Sequence, residues 1–505
     1  GNMMTAFDSL VDHLKETQLV GSINSLLGWD ERTKLPKGGG AYRAEQMTYV
    51  SGLLHKMRTD PRVGDWLAEA EQQVGEQDPH SDQATVLREA RRSFEKLTKL
   101  PQDLVENITR AEVEGQQAWV DARAADDFPA FVPYLRRIIE LKREQAEAIG
   151  YDDCIYDALM DDFEPGEKTS NVRSVLEGLR EDLVPLVEAI SESANRPDTS
   201  ILTRSYPASA QESFGTMAAA AIGFDFERGR LDVTHHPFCT EMGPDDTRIT
   251  TRYDEHFFPM AFFGILHEAG HGIYDQGLRG DHYGTGPGEY LSLGFHESQS
   301  RMWENQVGRS LPFWTHMYSK AQDNFDSLQD VALSDFYFAI NNVQPSLIRV
   351  EADEVTYNLH IIIRFELEQA FMSGDVSVED LPGAWSEKYQ HYLGITPPND
   401  ADGVMQDIHW SAGLIGYFPT YSLGNLYAAQ LFNKADEELG GLHQQFERGE
   451  FQPLKEWLVE KIHKPGRCYS ASELIERVTG DPLSHSHLVD YLYGKLGPLY
   501  GIEKP

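Results

Sequence analysis

The stretch that most constrains this chain is FFGILHEAGHGIYDQG, Phe262 to Gly277, where two histidines and a glutamate interrupt an otherwise apolar run. Phe262, Phe263, Ile265 and Leu266 precede the polar residues, and Ala269 and Gly270 fill the spacer between the histidines. A segment apolar on every side belongs inside a fold as a buried helix. His267 and His271, four positions apart, then stand one turn apart on the same face. Two buried imidazoles without partners would be costly. A metal ion is the partner that this His-Glu-x-x-His spacing suits, and a chance pair of core histidines is the plain alternative.

A catalytic zinc ion takes three protein ligands and keeps a fourth position open, so a third ligand is needed from elsewhere. The candidate is Glu297 in LSLGFHESQSRMWENQVG. The Gly-rich loop LRGDHYGTGPGEY turns the chain back, and a second, antiparallel helix then presents Glu297 to the histidine pair. Its competitors are His296, about 100° round the helix, and Glu304, seven positions on and so on the same face. Glu304 suits better the task of orienting an imidazole by a hydrogen bond. Glu268 cannot join the ion from the histidine face and is left to handle water. Zinc lowers the pKa of that water toward about 7, and a neighbouring carboxylate passes its proton to a leaving amine. Peptide-bond hydrolysis follows from that chemistry.

The 505 residues carry a formal charge of −37, from 44 basic and 81 acidic side chains. That balance argues against nucleic acid and anionic membranes as partners. No apolar run approaches the roughly 20 residues of a membrane span, and the N-terminal stretch lacks a basic-then-apolar signal pattern. Cys154, Cys239 and Cys468 are odd in number and far apart, which favours a reducing cytoplasm over a disulfide framework.

Helical periodicity dominates, as in ATVLREARRSFEKLTKL, QDLVENITRAEVEGQQAWVDARA and FVPYLRRIIELKREQAEAIG. Between about Phe224 and Tyr253 the composition shifts to Thr, His, Pro and Gly, which reads as short strands with turns. We therefore expect a mainly α fold: a large helical domain with a small β-sheet beside the metal helix and a deep substrate cleft. The chain reads as one domain over 1–505, with helices of about 1–220 forming one wall of the cleft and a catalytic part over about 221–505. GITPPNDADGVMQD and LIGYFPTYSLGN read as loops.

Taken together, five segments resemble the thermostable carboxypeptidases of the carboxypeptidase Taq type. They are DTRIT (246–250), HEAGH (267–271), HESQ (296–299), IRVEAD (348–353) and GVMQDIHW (403–410), and LGWDERTKLPKGGGAYRAEQ (27–46) looks like that family's opening stretch. The resemblance implies a zincin-type metallocarboxypeptidase, often a homodimer, that removes single residues from free peptide C-termini with zinc or cobalt. It also supports Glu297 as the third ligand. An exopeptidase must hold a terminal carboxylate, which the planar fork of arginine does best. Arg349 is the first choice, with an internal salt bridge to Asp353 as the alternative role, and Arg248 is the second. Tyr421 and His409 are candidate donors to the developing oxyanion, Tyr417 can stand in for Tyr421, and His236 is a further cleft candidate. The competing readings are an internally cutting oligopeptidase and an inactive peptide-binding relative.

Overall fold

The computed structural model describes residues 4–505. The N-terminal part is a succession of helices: α1 (Ala6–Thr33), α2 (Gly40–Arg58), α3 (Pro61–Val74), α4 (Asp82–Lys99), α5 (Gln102–Ala124), α6 (Phe128–Ile149), α7 (Ile155–Met160), α8 (Thr169–Glu192) and α9 (Ala208–Ile222). Side-chain caps set several of their starts. Thr5, Asp60, Ser81 and Asp127 each accept a hydrogen bond from a backbone N–H of the first turn. Gly150, at φ 91°, ends α6 in a conformation that other residues rarely adopt.

The expected sheet follows as β1 (Gly229–Val233), β2 (Cys239–Glu241) and β3 (Thr247–Thr251), in the order β1-β3-β2. β3 runs parallel to β1 and antiparallel to β2. Its buried Ile249 packs toward α10 (Phe258–Gly277), the helix that carries His267 and His271. A Cβ on Gly272 would meet the Phe224 ring at 2.5 Å and Ile249 Cγ2 at 3.4 Å, so glycine lets the helix press against this layer.

The opposite approach is set by Gly270, where a Cβ would lie 2.6 Å from the Gln299 carbonyl oxygen. That close contact admits α11 (Leu293–Arg301), which carries Glu297 and packs against α10. The two run antiparallel, since His271 meets His296 while His267 meets the later Glu304. Directly after α11, Met302–Val307 widens into a π-helix, a form that recurs at functional sites. α12 (Leu311–Asn324), α13 (Leu333–Ile340), α14 (Thr356–Ser373), α15 (Leu381–Leu393) and α16 (Pro419–Glu438) follow, and further helices reach Tyr500.

Phe258, Phe262 and Trp314 interlock at one end of α10, with Phe262 5.3 Å from the first ring and 5.1 Å from the third between centroids. Truncating such a buried ring typically costs about 3–5 kcal/mol, so α10 is anchored firmly at its N-terminal end. A separate small apolar core lies under α1, α3 and α4, around Leu10, Val63 and Leu67.

One loop expectation needs correction. LIGYFPTYSLGN is loop only as far as Phe418, because Pro419 opens α16, a position where its missing N–H costs nothing. Tyr421 therefore stands on the first turn of a helix.

Candidate metal centre

On α10 the potential donor atoms of His267, Glu268 and His271 lie within 4.8 Å of one another. α11 brings Glu297 against the same pair: Oε1 is 3.7 Å from His267 Nε2, and Oε2 is 3.2 Å from His271 Nε2. A third helix closes the site from behind. Gly424 on α16 has no Cβ at a point that would lie 2.8 Å from the Glu297 Cβ, so glycine lets α16 cover the back of that side chain.

The other imidazole nitrogens are already engaged. His267 Nδ1 is 2.7 Å from Glu304 Oε1, and His271 Nδ1 is 2.6 Å from His296 Nδ1. His296 Nε2 in turn is 2.8 Å from Asp275 Oδ1. Both Nε2 atoms are thereby left facing Glu297. Two half-buried imidazoles and one buried carboxylate, converging on one point, fit the donor set of a catalytic divalent ion.

Electrostatics follow from this crowding. Burial opposes ionisation of Glu297, yet His267, His271 and Arg301 outweigh it and hold the carboxyl below the usual range. Glu304 is likewise held low against burial by Arg301, His267 and Arg309. Burial by itself depresses His267, but Glu297 and Glu304 overcome it and raise the imidazole to about 9. His271 is pushed down to about 4, chiefly by burial. Burial lifts Glu268 to about 7, with His267 opposing and Glu297 and Glu304 adding to the rise.

These residues open onto a cleft of about 740 Å³. Its lining includes His267, Glu268, His271, Glu297 and Tyr421, with Tyr417 beside Tyr421 at 5.5 Å between ring centroids. Burial keeps the Tyr421 phenol protonated, so it can donate a hydrogen bond.

Arg349, His409, Arg248 and His236 do not reach the cleft lining. Arg349 is buried one side chain behind it, 5.4 Å from the Tyr421 ring centroid, and its Nη1 donates to the Tyr357 hydroxyl at 3.1 Å. Its carboxylate partner is Asp407, at 3.1 Å, and not Asp353. Asp353 instead accepts from the backbone N–H groups of Val355 and Thr356 and so caps α14. The expected salt bridge to Asp353 does not form, because the two residues are joined by a 3-10 turn at Arg349–Glu351 and an extended Ala352 rather than by a turn of α-helix. His409 packs on Phe418, at 4.4 Å between ring centroids. Arg248 pairs with Asp246 and lies over Trp29. His236 is exposed beside His235.

Sequence reasoning missed three supports. Asp275 lies four residues beyond His271, a spacing that marks it as a neighbour on α10. Arg301 donates to Glu297, four residues before it, and to Glu304, three residues after it, and the same rule offered both pairs. Arg467 lines the cleft, held by the Tyr290 carbonyl at 2.8 Å and by Glu289 at 3.5 Å, and no local signal in the sequence points to it.

The fold and this centre describe a helical metallopeptidase, and comparison with known proteins agrees. The carboxypeptidase Taq (M32) metallopeptidase family matches residues 9–496. Thermostable carboxypeptidase 1 of Thermus thermophilus is 49% identical, over 98% of this chain and 99% of its own. Carboxypeptidase 1 of Bacillus subtilis is 41% identical, over 97% of each chain. The crystal structure of an M32 carboxypeptidase from Deinococcus radiodurans R1 superposes with a TM-score of 0.95 at 40% identity, covering 98% of this chain and 100% of that one. The chain belongs to the carboxypeptidase Taq (M32) family and is a metal-dependent carboxypeptidase. Among the described residues, no helix is long and apolar enough to cross a membrane.

Proposed function

We propose that His267, His271 and Glu297 hold a zinc or cobalt ion, that Glu268 is the general base, and that Arg349 holds the terminal carboxylate of the peptide. The observation that carries this reading is the arrangement of the two imidazoles, each with Nδ1 occupied by a neighbour and Nε2 turned to Glu297. A divalent ion at these donors supplies Lewis acidity for the peptide carbonyl and acidifies water. Glu268 takes a proton from water as it attacks the scissile carbon and gives it to the departing amine. Burial and the nearby Glu297 and Glu304 disfavour charge on Glu268, which favours its taking up a proton.

Tyr421, a protonated phenol in the cleft, donates to the carbonyl oxygen as charge gathers there. Tyr417 is its nearest substitute, and His409 supports both rings from behind. Arg349 shares Asp407 with Arg364, so two guanidinium groups face one carboxylate and a positive charge is left over for an anionic substrate group. Arg467 offers a second reading of the clamp, favoured by its place in the cleft lining. We further place the enzyme in the cytoplasm as a homodimer that acts on peptides with a free C-terminus, a reading supported by the family resemblance and the odd, scattered cysteines. One catalytic unit spans the chain in this reading, with the N-terminal helices as a wall of the cleft.

The test is metal content and peptide hydrolysis followed by mass spectrometry. Chelator should stop the shortening of a peptide from its C-terminus, and zinc or cobalt should restore it. Glu297→Ala should lose its ion. Full metal binding by that variant would remove Glu297 from the ligand set.

A further inference from the structure

His296 stands next to Glu297 in the chain and next to His271 in space, so a ligand role for it is the simple expectation. The geometry points elsewhere. We propose that His296 is a positioning residue that fixes the tautomer of His271 and binds no metal itself, an assignment that rests on His271 as a ligand.

Both ring nitrogens of His296 are committed. Nδ1 is 2.6 Å from His271 Nδ1, and Nε2 is 2.8 Å from Asp275 Oδ1. Asp275 is an acceptor, so His296 must carry its proton on Nε2. In the singly protonated ring its Nδ1 is then a lone pair and accepts the proton of His271 Nδ1–H. That order leaves the His271 Nε2 lone pair bare, on the side that faces Glu297 at 3.2 Å. Read from the far end, the Asp275 carboxylate dictates which nitrogen of His271 is free, two side chains away.

The His296 ring is also held in place. Tyr274 and Tyr290 lie 4.8 and 5.0 Å from its centroid, and the Tyr274 hydroxyl is fixed by accepting from Leu291 N–H at 2.9 Å. The second oxygen of Asp275 accepts from the Cys239 thiol at 3.7 Å. The two imidazoles of α10 are thus oriented by different means: His267 by a carboxylate directly, and His271 by an imidazole backed by a carboxylate.

The experiment compares wild type, His296→Leu and His296→Gln in zinc-loaded and cobalt-loaded form. Zinc affinity is read by competition with a chelator, and the number of imidazole donors by X-ray absorption. Groups that orient a ligand typically contribute about 10–100-fold in metal affinity. His296→Leu should therefore bind zinc at least tenfold more weakly with an unchanged imidazole count, and His296→Gln, which keeps an acceptor and a donor, should recover most of the loss. In zinc-loaded wild type labelled with 15N-histidine, His271 should show a proton on Nδ1 and none on Nε2, a readout that needs no variant to fold. An affinity within twofold of wild type for His296→Leu, a drop in imidazole count, or the opposite tautomer each overturns the proposal. His271→Ala is the control: if that variant keeps its ion as tightly as wild type, the ligand assignment itself has failed, whatever His296 does.

Discussion

Glu304 Oε1 lies 2.7 Å from His267 Nδ1, while Glu297, seven residues earlier, faces the Nε2 of the same ring. One imidazole is thus gripped by two carboxylates from one helical run. Arg301 and Arg309 hold Glu304 in turn, so its charge is fixed before any ion arrives. Glu304→Ala should keep the fold but weaken zinc binding by about 10–100-fold, measured by chelator competition. An unchanged affinity would show that His267 is oriented by packing alone.

Glu268→Gln separates chemistry from binding. The amide keeps the size of a buried side chain and removes its basicity. Metal content should stay near that of wild type, while kcat/KM falls by about 10²–10⁴. A variant that loses metal and activity together would place Glu268 among the ligands.

Arg349→Lys tests the carboxylate clamp, because an ammonium cannot reproduce the two parallel hydrogen bonds of a guanidinium. Loss of kcat/KM should correspond to about 2–4 kcal/mol. Wild type should discriminate strongly against a peptide with an amidated C-terminus, and the lysine variant far less. Equal discrimination by both proteins moves the clamp to Arg467, which lines the cleft.

Glu164 offers a test by pH that lies away from the metal ligands. Burial pushes its carboxyl up to about 8, although Ser292 and the Gly294 N–H, both at the start of α11, oppose the rise. The folded pKa is above the unfolded value near 4.5, so between these values the folded chain holds a proton that the unfolded chain has released. Its contribution to stability is full below about 4.5 and is lost as pH rises toward 8, with a ceiling on the order of 4–5 kcal/mol. Glu368, raised to about 7 chiefly by burial, acts in the same sense. Urea unfolding of chelator-treated protein from about pH 5 to 8 should show falling stability, and Glu164→Gln should flatten the slope. Superimposable slopes would mean that Glu164 ionises freely in the folded state.

A charge of −37 makes the folded chain repel itself, and salt screens charges farther apart than about 8–10 Å. Moderate salt should raise the unfolding temperature. A flat response in a salt titration would show that the acidic groups are already paired or too dispersed to matter.

Much of the centre was legible because it is local. The spacing of His267 and His271 sets their common face on any helix, and the apolar residues around them require that helix to be buried. Glu297 followed from the need for a third ligand and from the turn-back loop, and Glu304 from its place on the same face. The helices before Gly223 announced themselves by periodicity, and the small sheet by its change of composition. The start of α16 was missed because Pro419 reads as a breaker in sequence, whereas its effect depends on whether it opens a helix or interrupts one.

What the sequence by itself determined is therefore the helix that carries His267 and His271, its burial and the identity of the groups on it, since these depend on residues within a few turns of one another. Only the tertiary structure decided which side chains complete the site. Asp407 took Arg349 from Asp353, Arg467 arrived at the cleft from near the C-terminus, and Gly270 and Gly424 set how closely α11 packs on α10 and α16 on α11. Those outcomes turn on the approach of segments far apart in the chain, where a single missing Cβ fixes a distance that no local pattern encodes.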